Sequence, residues 1–301
     1  MSLRRDLEAL ARGWRWGRPR LVPASVEQEA RAAGEFPTDW ARSPWARAAR
    51  AAILEFGFSP LLRRELTTEV HGSEVFDDLE MPVLFAANHS SHLDAPLILT
   101  SLPQEWRDRT AVGAAADYFF DVWWRAIGTA LAFNTFPVER SGSRRSAGAA
   151  HDLLDDGWNI LVFPEGTRSR DGWMGEFRHG TARLAIEHGV PVVPIAVRGS
   201  YQAMPRGRGW PVPGRPPVRV RIGRPLHPKD AQDVSDFSDR IRDALALGLQ
   251  EDRTDWWDAL QRRARGEVTP VTGPEAADWR RRWESSRPID PHRSRAWPKR
   301  G

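Results

Sequence analysis

Between about residues 70 and 225, short apolar runs alternate with segments of helical period, and this alternation limits the folds open to the chain more than any other feature. MPVLFAA (81–87), NILVF (159–163) and VPVVPIAV (190–197) carry no charge and are bounded by turn residues, the pattern of strands buried on both faces. AFNTFPV (132–138) reads as another short strand, and PPVRVRIGRPL (216–226) alternates as a strand with Arg219 and Arg221 on its outer side. APLILTSL (95–102), the apolar stretch 117–132, SRRSAGAAHDLLDDG (143–157), FRHGTARLAIEHG (177–189) and SDFSDRIRDALALGL (235–249) read as helices. Gly157 and Gly189 close two of them. Strands interleaved with helices in this way predict an α/β domain, a single mixed and largely parallel sheet covered by helices, over residues 67–250. A chain of 301 residues has room for that domain and two appendages.

The first appendage, residues 1–66, reads as N-terminal amphipathic helices. Leu3, Leu7, Leu10 and Trp14 fall on one face of a short helix, with arginines elsewhere on the wheel. Ser43 and Pro44 then give an N-cap and first-turn signal ahead of WARAARAAILEFGF, where Trp45, Ala49, Ala52 and Phe56 form one stripe. The second appendage, 251–301, begins with a segment of helical character. It ends in a run rich in Pro, Arg and Trp without a sustained period, which reads as a partly disordered tail.

Composition narrows the functions. The chain has no cysteine, which excludes disulfides, thiolate metal sites and a thioester on the enzyme itself. A net charge of +4 is too mild to mark a nucleic-acid binder. The most apolar long segment carries Asp117, Asp121 and Arg125, so no spanning helix is expected. The N-terminus has acidic residues and no apolar core of a secretory signal, which predicts a cytoplasmic protein. Fifteen tryptophans, many beside arginine, suit a membrane interface, although Trp in the core and Arg in solvent would leave the same composition.

In open α/β sheets reactive groups collect where strands end. Three strand ends carry polar clusters here: NHSSHLD (88–94), PVERSGSRR (137–145) and PEGTRSRDG (164–172). His89 and Asp94 are five apart and cannot meet on a regular helix, so a turn must fold His89 back over the Asp. Pro96 suits a first helical turn, which makes Asp94 the expected N-cap, one oxygen capping the helix and the other accepting from a ring N–H of His89. Such a carboxylate fixes the tautomer and leaves the second ring nitrogen free to take a proton from a hydroxyl. Three other readings of the cluster stand beside this one. His89, His92 and Asp94 can be drawn as metal ligands, Ser90 or Ser91 as a nucleophile, or the whole as a structural loop. The neighbouring clusters weigh against the last. Thr167 and Arg168 after the Gly166 turn, with Arg140, Arg144 and Arg145 at the second strand end, supply donors suited to phosphate.

In this order the motifs resemble those of the glycerolipid acyltransferases, the PlsC-like family. NHSSHLD resembles the family's NHxxxxD block, FPVERSGS its second block, FPEGTRS its third and VPVVPIAV its apolar, proline-bearing fourth, and the likeness covers roughly residues 70–225. The resemblance implies a glycerolipid acyltransferase-like fold and direct acyl transfer, without cofactor or metal, from acyl-CoA or acyl-carrier protein to a hydroxyl of a lysophosphatidic-acid-like acceptor. It makes His89 the general base and Asp94 its partner. Arg140, Glu165, Gly166, Thr167 and Arg168 would shape the phosphate and glycerol site, with Glu165 orienting Arg168 or a glycerol hydroxyl, and Pro194 would belong to the acyl-site wall. His92 falls at a variable position of the pattern. Glu139 stands where the family usually has Asp, which leaves the acceptor open: glycerol 3-phosphate, another lysolipid or a different alcohol are alternatives, as is a non-catalytic lipid- or phosphate-binding module. The expected setting is the surface of a phospholipid membrane, held peripherally, with no nucleic acid involved.

Overall fold

The computed structural model describes residues 37–115, 123–138, 144–251, 261, 264–265 and 271–285. The predicted first helix, Arg140 and the end of the tail lie outside these. The chain enters through α1 (Pro44–Ala52), a π-helical segment (Ile53–Phe58) and α2 (Ser59–Glu65). Then follow β1 (Thr67–His71), β2 (Leu84–Ala87), α3 (Asp94–Ser101), α4 (Gln104–Asp108), β3 (Thr110–Ala115), α5 (Trp123–Phe133) and β4 (Thr135–Val138). The second half contributes α6 (Arg144–Asp155), β5 (Asn159–Val162), α7 (Gly180–His188), β6 (Val192–Arg198), α8 (Ser200–Ala203), β7 (Pro217–Ile222), α9 (Val234–Glu251) and α10 (Asp278–Ser285).

The strands form one sheet in the order β1-β7-β6-β2-β5-β3-β4, parallel throughout except for the antiparallel pair β6 and β7. β2 is central, with Leu84 opposite Ile160 of β5 and Val192 of β6. Because successive side chains of a strand point to opposite faces, LFAA divides its burial between two cores. Phe85 and Ala87 join Leu97, Ile98, Trp106 and Val193 on one side; Leu84 and Ala86 join Leu153, Ile160, Phe237 and Ile241 on the other. The uncharged runs are thus strands covered on both faces, as the sequence predicts. Gly189 ends α7 in the left-handed conformation at φ +65°, again as expected.

Four expectations change. β1 and β3 have no counterpart in the sequence reading, since TTEVH is a mostly exposed edge strand and TAVGAA has small residues that carry little pattern. Arg219 does not face outward: it is buried, and its Nε donates to Glu69 Oε2 at 2.8 Å because β1 covers that edge of β7. Ser43 sits at the N-cap of α1, but its hydroxyl donates to the Trp40 carbonyl at 2.6 Å instead of receiving a helix N–H. Residues 271–285, read as tail, end in α10 and pack on the domain. The stripe on α1 and the π segment points to solvent, with Trp45 60% and Phe56 81% exposed, while Ala46, Arg50 and Leu54 face inward.

Candidate active site

Three neighbouring parallel strands, β6, β2 and β5, end at the same edge of the sheet, so the loops that follow them must converge there. Asn88 leaves β2 still paired with β6: its amide donates to Val197 O at 2.8 Å and its side-chain oxygen accepts from Val197 N at 2.7 Å. That clasp fixes where the next residue, His89, departs.

His89 and Asp94 meet as the spacing requires. His89 Nδ1 lies 2.9 Å from Asp94 Oδ2, and the same oxygen accepts the backbone N–H groups of Ser90 at 2.7 Å and Ser91 at 2.8 Å. The N-cap expectation is corrected at this point. α3 starts on Asp94 itself, Leu93 occupies the cap position, and the carboxylate turns back to the preceding loop instead of capping forward. One oxygen therefore takes all three donors, and none of them is a helix N–H. The other, Oδ1, is buried and finds no partner among the described residues. Asp94 is fully buried in the first turn of α3, against the positive end of the helix dipole.

The loop after β5 holds His89 from the other side. Phe163 stacks on the imidazole with centroids 4.0 Å apart and planes at 23°. Glu165 Oε1 accepts the His89 N–H at 2.7 Å, Oε2 accepts Gly175 N–H at 2.8 Å, and Ser169 N–H donates to His89 O at 2.8 Å. Both Glu165 oxygens thus accept backbone N–H groups, from two different segments. Burial pushes the Glu165 carboxyl up to about 7, against these two N–H bonds that favour the anion, and Asp94 and Asp171 add to the rise. Gly166 makes the turn at φ +68°, where a Cβ would stand 2.7 Å from Arg178 Nε.

The remaining predicted residues fall around this centre. Arg168 is half-buried near His92, and Thr167 is exposed beside it. Burial, then the charges of Arg168 and His89, push His92 down to about 4, so its ring is neutral at neutral pH. Pro194 lies within β6 with its ring against Gly223 and does not line the cleft at His89. Among the described residues no three His, Cys, Asp or Glu side chains converge as a metal site. The sequence reading missed Phe163, Asn88 and the third wall of the cleft. His89 opens onto a cleft lined also by Trp173, Met174, Tyr201 and Leu249 and, from the C-terminal segment, Val271 and Ser285.

With its Nδ1–H directed to Asp94, the neutral imidazole carries its lone pair on Nε2, the nitrogen able to accept a proton. The ring is partly exposed, at 18%, and is held by Asp94 and Phe163, while two further bonds hold its main chain.

Strands β1 to β6 and the His89–Asp94 pair fall within the segment that the acyltransferase family model matches, residues 67–198. A solved structure, the 1-acyl-sn-glycerophosphate acyltransferase PlsC from Thermotoga maritima, superposes with a TM-score of 0.57 at 26% identity, over 73% of this chain and 84% of that one. The chain is 31% identical over 185 residues to a chloroplastic 1-acyl-sn-glycerol-3-phosphate acyltransferase of Brassica napus, covering 60% of this chain and 51% of that protein. It is 32% identical over 197 residues to the alpha form from Mus musculus, covering 63% and 66%. Residues 67–198 are therefore an acyltransferase domain of the PlsC-like family. The chain spans about half the length of the first curated relatives it matches.

Proposed function

We propose that the chain transfers a fatty acyl group from a thioester, acyl-CoA or acyl-carrier protein, to a hydroxyl of a lysophosphatidic-acid-like acceptor in phospholipid synthesis. The observation that carries this reading is the 2.9 Å bond between His89 Nδ1 and Asp94 Oδ2, in a chain related to enzymes named for that acceptor. Nε2 of His89 takes the proton as the acceptor oxygen attacks the thioester carbonyl, and Asp94 balances the imidazolium that forms. The C–S bond breaks as the ester forms, and the proton passes from Nε2 to the departing thiolate. No acyl group is bonded to the protein at any step.

Arg140, Thr167 and Arg168, with the Gly166 turn, receive the acceptor phosphate in this reading, and the effect of Arg168 on His92 supports a positive field there. Glu165 acts as a brace under His89, not as a substrate ligand. No helix among the described residues is long and apolar enough to cross a membrane. Peripheral docking is supported by Trp45, Phe56, Trp123, Trp124 and Ile127, exposed on α1, the π segment and α5, with Arg125 over the Trp124 ring.

The test offers the protein labelled acyl-CoA or acyl-carrier protein with lysophosphatidic acid, glycerol 3-phosphate or no acceptor, and repeats each arm with His89→Ala. Transfer to lysophosphatidic acid that falls by about 10²–10⁴ in the variant is expected. Transfer to no acceptor, or equal rates in both proteins, overturns the reading.

A further inference from the structure

Residues 271–285 lie beyond the segment matched by the family model, yet they are bonded to the loop that holds His89. Arg281 is the hub. Its Nε donates to Asp171 Oδ2 at 2.6 Å, and its two terminal nitrogens donate to Pro274 O at 2.8 Å and Thr272 O at 2.7 Å, which folds the segment onto itself. The Arg281 carbonyl accepts the Trp173 indole N–H at 2.9 Å, and Met174 N–H donates to Val271 O at 3.0 Å. Gly273 lets the chain pass over the Trp173 ring, where a Cβ would stand 2.6 Å from ring carbons. The Ser285 hydroxyl donates to Asp171 O, and the Gln202 amide donates to Ser285 O.

Two bonded routes run from this segment to His89. In the first, Asp171 Oδ1 accepts from the Ser169 hydroxyl at 3.2 Å and from Trp173 N–H at 3.2 Å, and Ser169 N–H donates to His89 O. In the second, Trp173 and Met174 fix the approach of Gly175, whose N–H holds Glu165, whose other oxygen holds His89 N–H. Val271 and Ser285 also form part of the wall of the cleft onto which His89 opens.

We infer that residues 271–285 are a strap that completes the reaction site, and that Arg281 is a positioning residue acting through Asp171 on the loop that carries His89. The inference rests on the acyl-transfer reading for its kinetic consequence but not for its structural one. The acyl thioester can be attacked by the acceptor hydroxyl, giving ester and thiol, or by water, giving fatty acid and thiol. A held imidazole and a closed wall favour the ordered acceptor over water. Loosening the strap therefore lowers kcat for transfer, leaves KM for the acceptor nearly unchanged, and raises the share of donor lost to hydrolysis.

The experiment uses the full chain as Arg281→Ala, Arg281→Lys and Trp173→Phe, the last deleting the indole N–H bond to the Arg281 carbonyl while keeping an aromatic ring at that position. The rate at which diethyl pyrocarbonate modifies His89, read by mass spectrometry, and amide exchange over 169–175 report the strap whether or not acyl transfer occurs. Both rise in Arg281→Ala, with partial recovery in Arg281→Lys, which keeps the charge; kcat falls about 10- to 100-fold, the scale of a small displacement at a reacting group. Should Arg281→Ala fail to fold, Trp173→Phe carries the test, with a smaller change of the same sign in each readout. Unchanged His89 reactivity and exchange in a folded variant overturn the strap. Absence of acyl transfer in the wild type overturns the functional reading instead, and the His89 reactivity still decides the inference.

Discussion

At the scale of single residues, the site turns on Asp94 Oδ2, which takes three donors within 2.9 Å. Replacing Asp94 by Asn keeps an oxygen for Ser90 and Ser91 but removes the anion that balances a protonated His89. The expected result is a fall in kcat of about 10²–10⁴ with the helical content of the protein retained, measured by acyl-transfer kinetics beside circular dichroism. Retained activity would mean that the dyad is structural. The His89–Asp94 spacing was legible because only a turn brings positions five apart together. The direction of the carboxylate was not, since a side chain at a helix start can serve the loop before it as easily as the N–H groups after it. Nor was the place of Glu165, whose partner N–H groups come from two segments, one of them 76 residues away in sequence.

Among the elements, α1 and α5 are joined by one buried cation. Arg50 Nε donates to Leu131 O at 3.0 Å, and its terminal nitrogen donates to Ala41 O at 2.5 Å and Ala130 O at 3.2 Å; burial, with Arg42 and Arg47 nearby, lowers it to about 10. Arg50→Met removes a donor from three carbonyls, of which Ala130 O keeps the Asn134 N–H, and should cost about 3 kcal/mol in urea unfolding. This pair of helices also presents the exposed aromatic face. Phe56→Ser combined with Trp123→Ser should lower binding to anionic liposomes about ten-fold or more in sedimentation, as expected for removing two large apolar side chains from an interface. Unchanged binding would take this face out of any docking role. The stripe on α1 was visible as a period in the sequence, but a period says only that residues share a side, not whether that side meets protein or solvent.

For the whole molecule, two groups at the site, buried Glu165 and half-buried His92, tie stability to pH with opposite signs. Glu165 is raised in the fold to about 7, so its contribution is intact below the ordinary carboxyl range near 4.5 and is lost as pH rises through 7. His92 is lowered to about 4, so its contribution is intact above 6.5 and is lost as pH falls through 4. Against Glu165→Gln, the wild type should lose up to about 3 kcal/mol between pH 4.5 and 7; against His92→Gln, it should lose stability from pH 6.5 down to 4, both read from urea midpoints across pH. Parallel curves for wild type and variant would show that the group does not change charge in that range. By itself the sequence determined the class of fold, the central strands and the turn that brings His89 to Asp94, because uncharged runs must be covered on both faces and positions five apart cannot meet along a regular helix. Only the tertiary structure decided that β1 covers Arg219, that Phe163 and Glu165 clamp His89, and that residues 271–285 wall the cleft. Those choices depend on hydrogen bonds and contacts between segments distant in the chain, and local periodicity carries no record of them.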